Sequence, residues 1–375
     1  MRARLLASVA GAALLAAGPA FADSLTPTSY SASIAVGGST SITDKLGTIT
    51  KGLPTTAQAD VLFVTDTTGS MGPAIGALQT ELTTVISSLS GLGSIATGAA
   101  QYKDRTSDGY DPFDYHLDQD ITTNASLTQT AINGYTAGGG GDNPEQGLNA
   151  LQQGATTTSW RAGSKRIEVI TGDAPSHSSP GHPPAANGAN VSNTATTLIS
   201  NGVTMIALNV GSAADGTPGL GGDTSNGLNA YGQFSGASSL LANGVSGTYD
   251  DAIPDATTLA NDIIAAIGSS FDTYSVVSLA LIGAAPTDCS VSLPTSISGS
   301  FDRSVTRTFG FGAVGITGLH AGVCSFTIGL EADGALLATE TDTITVGSAV
   351  PEPAGLAVLG AGLIGLGAAR RSRRV

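Results

Sequence analysis

Residues 60–65 read Asp-Val-Leu-Phe-Val-Thr, an apolar run of strand length without the polar alternation of a half-wet strand. A strand that is dry on both faces belongs inside a sheet covered on both sides, which points to a parallel sheet wrapped by helices. The residues that follow agree. Ile75, Leu78, Leu82, Val85, Ile86 and Leu89 recur at helical spacing across 74–92 and form one apolar stripe. Between strand and helix lies Asp66-Thr67-Thr68-Gly69-Ser70-Met71, a tight loop with an oxygen side chain at every second position: Asp66, Thr68 and Ser70.

The alternation of short apolar runs and helical patterns continues over 58–272. Further strands are expected at 95–102, 115–121, 166–171 and 204–210, and helices at 126–133, 145–154, 191–200 and 255–271. This is the pattern of an α/β fold, a doubly wound, mostly parallel sheet with flanking helices. Ligands of such sheets sit outside the carboxyl ends of the strands. The flanks read differently. Residues 23–57 carry two strand signals, 29–36 and 41–50, and residues 273–347 carry five, 274–282, 289–297, 304–314, 323–331 and 336–346. Five strands alone leave exposed edges, and a lone hairpin is marginal in water. Together they make seven, the usual count of an immunoglobulin-like β-sandwich. The α/β domain is therefore expected as an insertion, entering after Pro54 and leaving near Asp272. Cys289 and Cys324, the only cysteines, both fall in the all-strand zone and are expected to form a disulfide if the protein is exported.

Two further acids fall where the first loop needs company. Asp173 ends the buried run 167–172, so it too lies at the carboxyl end of a strand, and Glu145 closes Gly141-Asp142-Asn143-Pro144-Glu145, a turn opening a helix. Singly, Asp173 reads equally well as a capping residue and Glu145 as a favourable acid in a first helical turn. Jointly with Asp66, Thr68 and Ser70 they compose a set of hard oxygen donors suited to Mg2+, or to Ca2+ or Mn2+.

At these residues the sequence resembles the von Willebrand factor type A (VWA) family, over roughly 58–272, and in particular its branch reading Asp-Thr-Thr-Gly-Ser-Met. The resemblance implies a metal ion-dependent adhesion site. Asp66, Thr68 and Ser70 match its first motif, and Asp173 in Gly172-Asp173-Ala174-Pro175 matches its last. The Asp-Asn-Pro-Glu turn is similar to the acidic turn of integrin β chains, which implies Glu145 as a ligand and Asp142 as the candidate for a neighbouring Ca2+ site. Thr68 replaces the commoner Ser but keeps the hydroxyl. No acid closely follows Ser70, a departure from the adjacent regulatory site of integrin β chains. The family reading further implies no catalytic residues, and an open metal position filled by an acidic group of the partner.

The ends of the chain speak to export. Arg2, Arg4, the apolar run 5–17 and Ala20-Phe21-Ala22 read as a signal peptide over 1–22. At the other end, Pro351-Glu352-Pro353 precedes an uncharged stretch, 354–369, and the cluster Arg370-Arg371-Ser372-Arg373-Arg374. That stretch makes about 24 Å of helix, marginal for a hydrocarbon core of about 30 Å. The arginines would remain cytoplasmic by the positive-inside rule, so a permanent anchor is one reading. The order of the three elements also resembles the PEP-CTERM tail, over 350–375. That resemblance implies removal by an exosortase in a Gram-negative bacterium that makes exopolysaccharide. The body would be held transiently at the inner membrane and end on the cell surface or in the extracellular matrix of a biofilm. Without both ends, residues 23–350 hold 28 acids against nine Lys and Arg, a net charge near −19. Such a surface repels nucleic acid and attracts divalent cations.

Other features carry less. His177 and His182 read as surface-loop histidines, since a zinc site would want a third ligand. The glycine runs 138–141 and 219–222 lack the Lys-Ser/Thr ending of a phosphate loop and read as turns. Residues 211–228 read as a partner-facing loop. A hydrolase built on Ser70 and His177 lacks a Gly-x-Ser-x-Gly elbow. The reading is a secreted or surface-displayed, metal-dependent adhesion protein rather than an enzyme. Its partner would be an extracellular protein or polysaccharide offering an acidic group. The alternatives are a structural matrix component whose metal only stabilises the fold, and a hydrolase.

Overall fold

The chain opens on four short strands: β1 (Ser24–Thr26), β2 (Ser31–Ala35), β3 (Ser39–Ile42) and β4 (Leu46–Ile49). This computed structural model describes residues 22–347 apart from 110, 142–143, 179–183, 211–227, 230 and 251–255. The signal peptide, the C-terminal tail, Asp142, His182, Gly219–Gly222 and most of the 211–228 loop lie outside the described residues. Sequence periodicity reads one strand over 41–50, whereas the structure breaks it between β3 and β4 at Asp44, whose φ is +57°. That left-handed backbone is incompatible with a continuous strand.

Next comes the α/β unit. Its elements are β5 (Ala57–Asp66), α1 (Gly72–Leu89), β6 (Gly93–Tyr102), β7 (Tyr115–Thr122), α2 (Ala125–Asn133), α3 (Gly147–Thr157), β8 (Lys165–Gly172), α4 (Val191–Ser200), β9 (Val203–Asn209), β10 (Gly247–Asp250) and α5 (Ala256–Ser269). The sheet order is β10-β9-β8-β5-β6-β7. Every neighbouring pair is parallel except the edge pair β6–β7. Val61 and Phe63 of β5 pack with Leu78, Leu82 and Val85 of α1 and Ile263 of α5, while Leu62 and Val64 face Leu148 and Leu151 of α3 and Leu198 of α4. Both faces of β5 are therefore dry, which is why its sequence shows no alternation.

Seven strands close the described chain: β11 (Thr273–Ile282), β12 (Cys289–Ser292), β13 (Ile297–Asp302), β14 (Arg307–Gly310), β15 (Val314–Gly318), β16 (Gly322–Ala332) and β17 (Ala335–Gly347). They form three sheets with the N-terminal strands: β13-β11-β16-β17-β2, β12-β15-β3 and β1-β4-β14. The β unit thus holds eleven strands among the described residues, where sequence periodicity gives seven. Pro294 separates β12 from β13 where one strand is expected, because a proline donates nothing to a ladder. Strand β2 pairs in parallel with β17, and β3 and β4 pair antiparallel with β15 and β14. A disulfide joins Cys289 of β12 to Cys324 of β16, across two sheets, with the Cα atoms 5.8 Å apart. Among the described residues no helix is long and apolar enough to cross a membrane.

Candidate metal centre

Strands β5 and β8 are in register with Thr65 opposite Thr171, so Asp66 and the Gly172-Asp173 pair leave the sheet side by side. On the other flank Asp66 lies opposite Tyr102, the last residue of β6. Asp66 is fully buried. Its Oδ1 accepts from the backbone N–H of Thr68 at 2.8 Å and from the Thr68 hydroxyl at 2.7 Å, which folds the loop back on its own strand. Its Oδ2 is buried with no hydrogen-bond partner. Thr68 is buried as well, whereas Ser70, in the short helical turn Gly69–Met71, faces solvent.

Glu145 departs from expectation. Helix α3 begins at Gly147, so Glu145 is not part of a first helical turn; it lies ahead of the helix as a one-residue parallel bridge to Ser176. Its N–H donates to the Pro175 carbonyl at 2.8 Å, and its carbonyl accepts from the His177 N–H at 2.8 Å. These bonds stitch it to the segment that follows Asp173. Only 3% of Glu145 is exposed, and its Oε2 also lacks a partner.

A glycine loop walls the site. A Cβ on Gly140 would sit 2.9 Å from Thr68 Cβ and 3.0 Å from Glu145 Oε1, so these two side chains flank one small volume. At Gly139, φ is +75° and a Cβ would fall 1.8 Å from Asp111 Oδ1. Only glycine fits there. The Lys103 ammonium donates to the carbonyls of Thr67 and Gly138, and Asp111 Oδ2 accepts from Gly140 N–H at 2.8 Å, so both sides of the loop are fixed. The run 138–141 is a turn, as its composition implies, but one that lines the candidate centre.

Charge accumulates around this volume. Burial and then the Asp173 carboxylate push Asp66 up to about 8, against the Thr68 bonds and Lys103, which pull it down. Burial, followed by Asp66, Asp104, Asp111 and Asp173, holds Glu145 well above the usual carboxylate range. Burial in turn lowers Lys103. Acids raised by burial and by one another are the arrangement that a divalent cation relieves. The donor set fits a hard cation: carboxylate oxygens of Asp66, Glu145 and half-buried Asp173, with hydroxyls of Thr68 and Ser70. Among the described residues no three His, Cys, Asp or Glu side chains, Asp66, Glu145 and Asp173 included, group closely enough to hold a metal ion.

Four residues near the centre were not singled out by sequence as part of it: Lys103, Asp104, Asp111 and His177. His177 corrects the surface-loop reading. It is 1% exposed, with Nε2 at 2.6 Å from Asp104 Oδ1, and Asp104 Oδ2 is a third buried oxygen without a partner. With the ring buried against Asp104, Ser70 and His177 do not make a solvent-facing catalytic dyad. Asp104 had a signal in the sequence, since it follows the expected strand 95–102 at the same carboxyl edge. Asp111 had none, because it reaches the site through the fold of the loop between β6 and β7.

Residues 60–226 match the family model for the von Willebrand factor type A domain. The chain carries a von Willebrand factor type A domain. The match starts inside β5 and ends before β10 and α5, which continue the type A sheet and its helical cover. Among solved structures, the pilus adhesin SpaC from Lactobacillus rhamnosus GG, in its open conformation, is 14% identical with a TM-score of 0.40, covering 80% of this chain and 45% of that one. A second crystal form of SpaC gives 12% identity and a TM-score of 0.39 over the same shares. The chain thus spans less than half the length of that adhesin. No curated protein sequence matches.

Proposed function

We propose that the type A domain holds a divalent cation, Mg2+ by preference, and binds an extracellular partner through it. The observation that carries this reading is a pair of buried, unpartnered carboxylate oxygens, Asp66 Oδ2 and Glu145 Oε2, at the carboxyl edge of the sheet and beside the Thr68 hydroxyl. A buried polar atom without a partner costs about 1–3 kcal/mol, more when charged, a cost that a bound cation would offset. Asp66, Thr68, Ser70, Glu145 and Asp173 would hold the ion, which supplies an exchangeable position for an outside oxygen. Ser70 is exposed and Asp173 half-buried. An acidic group of a protein or polysaccharide suits that position, because a carboxylate replaces water on Mg2+ without changing the oxygen geometry. Asp142, in the Asp-Asn-Pro-Glu turn that resembles the acidic turn of integrin β chains, remains the candidate for a neighbouring Ca2+ site within the same proposal.

We further infer that the β unit is an immunoglobulin-like sandwich that carries the type A domain. On this reading the body is exported by residues 1–22 and sorted by an exosortase-type enzyme at 350–375, to the surface or matrix of a Gram-negative cell. The test is a pull-down from cell envelope on the immobilised body in Mg2+, eluted with a chelator. Capture that survives the chelator, or is equal for Asp66→Ala, would sink metal-dependent adhesion. A metal that raises melting while no partner is retained would favour the purely structural role.

A further inference from the structure

Strand β17 alternates, with Thr339, Thr341, Thr343 and Thr345 turned outward and residues 340, 342, 344 and 346 turned inward. Ile344 and Val346 are what such positions normally hold. Glu340 and Asp342 are not, and both are buried, at 4% and 0% exposed. Facing them is Lys45, in the turn before β4, itself 0% exposed. Its ammonium nitrogen contacts Glu340 Oε1 and donates to the Pro27 carbonyl at 3.2 Å. Glu340 Oε2 and both oxygens of Asp342 are buried without hydrogen-bond partners. Burial lowers the Lys45 amine, although Asp342 opposes this, and burial raises Asp342.

As ions, this trio is a poor use of a β core. One cation and two anions leave a net negative charge, and taking each ion out of water costs several kcal/mol that the pairing repays only when every remaining oxygen is bonded. Here three of the four carboxylate oxygens are not. Uncharged, the same groups are an amine against a carboxylic acid with a second acid beside them, held together by the fold, and positioning of this kind corresponds to effective molarities of roughly 10⁵–10⁸ M. We propose that Lys45 and Glu340 are joined covalently by an amide between Nζ and Cδ, with Asp342 as the proton-transfer group. The Nζ lone pair adds to Cδ; Asp342 in its acid form protonates the departing hydroxyl and takes up the proton the amine loses. One water leaves, Asp342 ends as it began, and no oxidant or reductant is needed. The product removes both charges and keeps an N–H for the Pro27 carbonyl.

The bond would tie a residue twelve positions before β5 to one seven positions before the end of β17, closing the β unit around the inserted domain. It does not depend on the metal reading. The test is the intact mass of the purified full chain, denatured and reduced, followed by tryptic mapping. The expected result is a mass lighter by one water than the sequence of the mature chain, no cleavage after Lys45, and a branched peptide joining Lys45 to Glu340. Lys45→Met and Glu340→Ala restore the full mass, and Asp342→Asn slows or abolishes the loss with both reacting groups in place. An unmodified wild-type mass with normal cleavage after Lys45 overturns the proposal. A water lost elsewhere, such as at an Asp-Gly pair, or a branch at Asp342, overturns it as well.

Discussion

Asp66 combines the two properties that make a ligand testable: it is buried with one oxygen unpartnered, and its neighbours repel it. Asp66→Ala is expected to weaken Mg2+ binding by roughly 100-fold or more, while melting in chelator stays level or rises, because the lost carboxylate was unfavourable without a cation. Thr68→Ser should keep binding within a few-fold. Titration calorimetry reads both, and wild-type affinity in Asp66→Ala would remove this residue from the site. A second residue concerns stability alone. Glu168 is fully buried in β8 with neither carboxylate oxygen partnered, and burial raises it well above the carboxylate range. An acid raised in the folded state contributes its stability below the unfolded value and loses it as pH climbs toward the folded one. Glu168→Gln is therefore expected to match wild type near pH 4 and to be the more stable by about 1–3 kcal/mol at pH 8. A variant less stable at pH 8 would contradict the sign. The position of the loop that carries Asp66, Thr68 and Ser70 was legible, because a local motif sits at a recognisable strand end. Asp111 and His177 were not, since their place depends on how two loops return over the sheet.

Elements were legible in proportion to their periodicity. Helices α1, α2 and α4 and strands β5, β6, β8 and β9 fall within a few residues of where apolar spacing puts them, because long dry segments leave little choice of partner. The start of α3 was misread, as Pro144 and Glu145 mimic a helix opening while the backbone of Glu145 is taken by the bridge to Ser176. The β unit was harder. Many of its strands, β1–β4, β12, β14 and β15 among them, are short, and Gly315 and Gly318 hide β15 among turn-like residues. Half-wet strands of four or five residues carry too few positions for a period to stand out. The disulfide between β12 and β16 closes a span of 35 residues across two sheets, so its chain-entropy contribution is about 4 kcal/mol. Reduction, or Cys289→Ala with Cys324→Ala, should lower the melting of the β unit and leave the type A transition where it was. A shift of both transitions together in calorimetry would mean that the two units do not unfold separately.

At the scale of the molecule, the type A domain interrupts a β unit whose sheets each need strands from both flanks. Three side chains from the N-terminal strands, Leu25, Ile42 and Ile49, are at most 3% exposed, packed into the β core. Full burial of each contributes about 1.5–3 kcal/mol, together on the order of 5–9 kcal/mol. That is comparable with the whole stability of an ordinary domain, about 5–15 kcal/mol. The strands also cover β14 and β15, whose ladders would otherwise end in open edges. One face of the type A sheet, with Val61 and Phe63, belongs to the same apolar cluster as Leu25, Ile42 and Ile49, and the other face does not. The cluster on that other face, including Leu62, Val64, Leu148, Leu151, Leu198 and Met205, contains nothing from residues 24–49. Deletion of 24–49 is thus expected to unfold the β unit at room temperature, with the type A transition moved by only a few degrees and Mg2+ binding retained. Hydrogen exchange reads the two units apart: fast exchange through β11–β17 with protection kept in β5, β8 and β9 is the expected pattern. Protection unchanged in β16 and β17 would mean that the C-terminal strands make a core of their own, and the interrupted-unit account would fail.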